Sequence, residues 1–168
     1  MSGGWSLGEY PLEDLFAMAA NVAQGGFDFY ARLIARSSNP EEIRELKRLR
    51  DEEAKHRSFF LEQLRSRGLT PKGPVSPGLK ALLDLEFIEP VSKAYATGAA
   101  SDKSRVLAFA VSLEEKTIAF YRALRVSCSV PGQHAELDRI IAEEETHKLR
   151  LEALWEHRSA EDVSLSPA

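Results

Sequence analysis

The chain has 168 residues, with 22 Lys and Arg against 26 Asp and Glu, a formal charge of −4 and 43% hydrophobic content. That size suits one domain with one packed core and the composition excludes disorder throughout, while the acidic balance argues against a broad nucleic-acid-binding face and no apolar run reaches the ~18–20 residues that cross a bilayer. The lone Cys128 excludes an internal disulfide and every Cys-x-x-Cys site, and Met1 to Tyr10 has neither the basic start nor the apolar stretch of a secretory signal, so the expectation is a cytoplasmic protein with no nucleic-acid or membrane partner.

Four helical blocks are predicted. The first runs from about Pro11 to Arg36, with Glu13 and Asp14 placed to meet the positive end of the helix dipole. The second opens on Asn39-Pro40-Glu41-Glu42, a cap, an N1 proline and two acids, and can run to Gly68 before Thr70-Pro71-Lys72-Gly73-Pro74 breaks it. A crossover over about 67–100 follows. Its apolar piece, 79–88, is expected to form a short helix packed across the bundle, since a structureless stretch of that length is unusual. Ser101 or Asp102 can cap a third helix reaching roughly Val126, and a fourth extends from near Pro131 to about Arg158, leaving a loose tail over 159–168. No β-type alternation competes. The fold class is all-α, a four-helix bundle in a single domain over 1–168, with the long connection between helices two and three.

The chain repeats itself at one gap-free offset of 91 residues. Phe29-Tyr30 recurs as Phe120-Tyr121, and Glu53-x-x-His56 recurs as Glu144-x-x-His147. Pro40 and Pro131, Leu33 and Leu124, Leu46 and Leu137, and Arg48 and Arg139 obey the same offset, which indicates two similar helical hairpins.

Residues three and four apart share a helix face. Leu46, Leu49, Glu53, His56, Phe60 and Leu64 therefore form one stripe, and Leu137, Ile140, Glu144, His147, Leu151 and Trp155 form its counterpart. Leu107, Ala110, Glu114, Ile118 and Tyr121 make a third. Each apolar seam carries an acid with no basic residue beside it, and a buried unpaired carboxylate costs several kcal/mol unless it is paired, protonated or bound to metal. Two imidazoles and three carboxylates without a thiolate suit Fe²⁺, Mn²⁺ or Zn²⁺. The neighbouring Glu52 and Glu143 line up with charged residues and read as solvated faces. Glu115 competes with Glu114 only if the register slips by one. His134 and His157 lie off the stripes and read as surface residues, and Cys128 reads as a packed or partly exposed free thiol. The Gly25-Gly26 pair inside helix one points to a close helix approach or a local distortion.

The doubled Glu-x-x-His with Glu114 seven residues before Tyr121 resembles the rubrerythrin branch of the ferritin-like superfamily, over roughly residues 12–65 and 101–158. The resemblance implies two irons, or one, and reaction with peroxide or O₂ or oxidation of Fe²⁺, hence a non-haem iron oxidoreductase of peroxidase or ferroxidase type. It implies that Glu53 and Glu144 bridge, that His56 and His147 are terminal ligands, that Glu114 is a terminal carboxylate, and that Tyr30 and Tyr121 donate hydrogen bonds to ligand carboxylates. The chain departs from the pattern in two places. Ala23 stands where the helix-one Glu is called for, with neutral Gln24 adjacent but about 100° around the helix and a weak candidate; Glu86 or Glu89 of the crossover are alternatives. A rubredoxin-like Cys-x-x-Cys module is lacking, so peroxide reduction needs an external electron donor. A homodimer is the expected assembly. The rival expectation is a non-catalytic metal-binding or interaction bundle with a degenerate site; iron sequestration in a shell is a third.

Overall fold

The computed structural model describes residues 7–69, 90, 93, 103–130 and 132–164. Four long helices make up the fold: α1 (Leu12–Arg36), α2 (Pro40–Ser66), α3 (Lys103–Ser127) and α4 (Gln133–Ser164). Among the described residues there is no strand. Nearly all of the crossover, with the helix expected over 79–88 and with Glu86 and Glu89, lies outside the described residues.

Local chemistry sets the helix ends. Asn39 Oδ1 accepts from the backbone N–H of Glu41 at 2.9 Å and of Glu42 at 3.3 Å, so two orphan donors of α2 are satisfied just ahead of the N1 proline. At the other end Gly68 adopts φ +61°, Leu69 N–H donates to Leu64 O at 2.9 Å and Gly68 N–H to Arg65 O at 3.1 Å. That double bond pattern closes the helix around a left-handed residue, a conformation that favours glycine. The α4 helix runs six residues beyond the expected stop at Arg158 and takes in most of the segment read as a loose tail. The physical reason is that no glycine or proline follows Arg158 until Pro167, so nothing breaks the helix there.

Helices α1 and α2 pack as one hairpin and α3 and α4 as the other. Two apolar clusters fill the interior. One holds Phe16, Ala19, Phe60, Tyr121, Leu124, Leu137 and Ile140; the other holds Leu107, Ala110, Leu151, Tyr30, Leu33, Leu46 and Leu49. Taken in that order, each residue of the first has its counterpart 91 positions away in the second. The sequence repeat is thus an approximate two-fold relation between the hairpins, with one oily cluster on each side of a middle level. At that level α2 carries Glu53 and His56, α3 carries Glu114, α4 carries Glu144 and His147, and α1 carries Ala23 and Gly26. Trp155, read as the last member of the α4 stripe, is instead 39% exposed, because the seam has already ended at Leu151. No helix among the described residues is long and apolar enough to cross a membrane.

Candidate metal centre

All five acids and imidazoles of the middle level are buried, none more than 3% exposed. The apolar periodicity on either side of each residue forces this, since a helix that buries Leu49 and Phe60 must also bury what lies between them on the same stripe. Glu53, Glu114, Glu144 and His147 each bring one donor atom to a common point, with all four atoms within 4.8 Å of one another.

The two Glu-x-x-His pairs interlock. His56 Nδ1 lies 3.0 Å from Glu144 Oε1 and 3.8 Å from Glu53 Oε2. His147 Nδ1 lies 2.9 Å from Glu144 Oε2 and 3.5 Å from Glu53 Oε1. Each of these carboxylates therefore turns one oxygen to each imidazole, the placement that a pair of bridging ligands needs. The rings themselves stack with centroids 5.7 Å apart. Glu114 belongs to the His147 half, with Oε1 4.0 Å from Nδ1.

These short approaches lack the alignment of hydrogen bonds. Glu53 Oε2, both Glu144 oxygens, both Nδ1 atoms and the Tyr121 hydroxyl are buried without a hydrogen-bond partner. Orphaned buried polar atoms are costly, and the carboxylate and imidazole atoms among these fit cation binding between α2 and α4. The donor set, carboxylate and imidazole with no thiolate, fits a hard or borderline divalent ion.

The outer nitrogens determine which imidazole atom faces inward. His56 Nε2 donates to Glu143 Oε2 at 2.8 Å, and His147 Nε2 donates to Glu52 Oε2 at 2.7 Å. With the proton held on Nε2, the neutral ring turns its Nδ1 lone pair into the centre. Glu143 also accepts from Arg139 at 2.8 Å, and Glu52 from Arg150 at 3.2 Å. Sequence reasoning placed Glu52 and Glu143 on solvated faces. They are in fact half-buried, because each reaches across from its own hairpin to the histidine of the other. Their separation by the same 91 residues was the available signal.

Charge in the metal-free centre follows from this crowding. Burial opposes protonation of His56 and His147, but the carboxylates of Glu144 and Glu53 outweigh it and push the two imidazoles up to about 11 and about 12. Glu144 is also held back by burial, yet the imidazoles on both sides bring it down to about 2. Burial, then the charges of Glu144 and Glu53, raise Glu114 well above the usual carboxylate range. In Glu143 burial is outweighed by His56, and its pKa falls.

Tyr30 donates its buried hydroxyl to Glu114 Oε1, as the resemblance implies. Tyr121 does not repeat that bond. Its hydroxyl is fully buried, and burial together with Glu144, Glu53 and Glu114 raises its pKa, but no acceptor stands before it among the described residues. The acceptor that matches Glu114 would come from position 23, where Ala23 is 0% exposed. Gln24 does not substitute for it: its Nε2 donates along the helix to Asp28 at 2.9 Å, away from the cluster. Glu115 is exposed and pairs with Lys148 at 2.8 Å, so the register that buries Glu114 is the observed one.

Gly26 explains half of the glycine pair. A Cβ there would stand 2.9 Å from Glu53 Cδ, so the glycine lets Glu53 lie against α1. Gly25 is exposed with nothing within 4 Å of a Cβ, and nothing in the structure explains it. His134 and His157 are exposed and Cys128 is buried. Compared with known proteins, the chain matches no family model, no curated protein and no solved structure.

Proposed function

We propose that the chain is a rubrerythrin-like oxidoreductase of the ferritin-like type, whose centre takes one or two iron ions and serves peroxide, O₂ or iron handling. The observation that supports this reading is the convergence of buried carboxylate and imidazole groups from α2, α3 and α4 between two oily clusters, with those of α2 and α4 left without hydrogen-bond partners. Iron bound there supplies a one-electron redox change. The chain supplies the rest: Glu53 and Glu144 share their oxygens between the two imidazoles, Glu52 and Glu143 hold Nδ1 inward, and Tyr30 steadies Glu114. The flanking clusters exclude water, which strengthens every charge interaction inside. Electrons come from a separate donor, and the working unit is a cytoplasmic homodimer.

A second reading, a non-catalytic bundle that binds metal or a partner, is favoured by one observation, the alanine at position 23. Metal analysis of protein purified without chelator separates the two. One or two iron atoms per chain, with an absorbance change on adding peroxide, is the result expected for the oxidoreductase. Manganese or zinc in that amount keeps the site and removes the iron chemistry. No bound metal, together with an unchanged fold in Glu53→Ala, overturns the proposal. Glu114→Gln is expected to weaken iron binding at least tenfold, and Glu115→Gln to leave it unchanged.

A further inference from the structure

The two halves of the centre are unequal, and the inequality has a specific chemistry. On one side the hydroxyl of Tyr30 donates to the carboxylate of Glu114, which sits beside His147. The 91-residue relation matches Tyr121 to Tyr30 and His56 to His147, but the residue matching Glu114 is Ala23. The Tyr121 hydroxyl is 0% exposed and has no acceptor among the described residues, which leaves a buried donor unsatisfied. Gln24, next to Ala23, donates to Asp28 along α1 instead.

What is missing defines what would fit. Beyond Cβ, a glutamate side chain consists of one methylene and a carboxylate, the same heavy atoms as acetate. Charge points the same way. Three carboxylates face the four positive charges of two divalent ions, and a monoanion supplies the fourth negative charge. The walls nearest Tyr121 are apolar, with Phe16, Ala19, Phe60 and Ile118 in its cluster, and they disfavour large or multiply charged anions.

We infer that the His56 half of the centre is a binding site for a small monocarboxylate from solution, of formate or acetate size, seated where α1 presents Ala23 and held by the hydroxyl of Tyr121. The inference rests on the metal centre proposed above. The ligand completes the half-site that α1 leaves short, so the occupancy of the second cation depends on it. The His147 half has its own carboxylate and needs none.

The test uses the full chain loaded with Co²⁺, whose visible absorbance reports its ligands, titrated with acetate at constant pH and ionic strength. A saturable spectral change is expected with acetate and formate and not with benzoate, which is too large for the place of one side chain. Tyr121→Phe is expected to weaken the acetate response about tenfold, the size of one lost hydrogen bond in a dry site. Ala23→Glu supplies the carboxylate from within and is expected to abolish the response. Should Ala23→Glu fail to fold, the size series on the unaltered chain still decides. A cobalt spectrum indifferent to acetate overturns this inference alone, and so does an equal response to benzoate; the first outcome includes the case in which the crossover or Glu53 already fills the place. No cobalt spectrum at all removes both this inference and the proposed function.

Discussion

Two adjacent glycines offer a test in which one substitution should stabilise the protein and its neighbour should damage it. Gly25 and Gly26 both lie in the interior of α1, where alanine is favoured over glycine by about 0.5–1 kcal/mol. Gly25 is exposed and a Cβ there meets nothing within 4 Å, so Gly25→Ala should realise that gain, about 1–4 °C in Tm for a chain of this size. Gly26→Ala carries the same gain but sets its Cβ 2.9 Å from Glu53 Cδ and 3.1 Å from Cγ. Glu53 is 1% exposed, so its carboxyl end must shift within the interior to admit that methyl. Forcing an extra methyl into a packed interior costs about 1–3 kcal/mol, so the two variants should differ by about that amount, with Gly26→Ala the less stable. The displaced carboxylate also shifts from both imidazoles, and cobalt affinity should fall tenfold or more in this variant alone. Urea unfolding of the metal-free proteins, followed by circular dichroism, and a cobalt titration measure both effects. If the two alanine variants match in stability and in metal affinity, Glu53 does not lie against α1 and the centre is misassembled in this account.

Two further outcomes are expected. Glu143→Ala removes the acceptor that holds His56 Nδ1 inward and should lower metal affinity about 10–100-fold, whereas Glu45→Ala, which removes only a surface contact to Arg48, should not; equal affinities would show that the outer carboxylates do not orient the imidazoles. The stability of the metal-free protein and the stabilisation gained from metal should change with pH in opposite directions. In the metal-free protein His56 and His147 are pushed up to about 11 and about 12 from an ordinary 6.5, so their contribution is complete below pH 6.5 and is lost progressively as pH rises toward 11–12. Metal must displace the Nδ1 protons, so the rise in Tm on adding metal should grow over the same range. Thermal melts at pH 6, 7.5 and 9 with and without cobalt check both signs, and a metal-induced shift that shrinks with pH contradicts the inward Nδ1.

Much of this molecule was legible before any coordinates. The helices, the cap at Asn39, the 91-residue repeat and the burial of Glu53, His56, Glu114, Glu144 and His147 all follow from spacing along the chain, because a helix converts intervals of three and four residues into a shared face without reference to anything else. The helix end beyond Arg158 was missed because no breaking residue marks it. What tertiary structure alone decided concerns pairs that lie far apart in sequence: His56 with Glu143, His147 with Glu52, Tyr30 with Glu114, Gly26 with Glu53, and the hydroxyl of Tyr121 facing no acceptor among the described residues. These depend on how the two hairpins dock, an arrangement set by the packing of both oily clusters at once. Periodicity within one helix states which side is inward, and only the docked neighbour determines which atom each inward group meets.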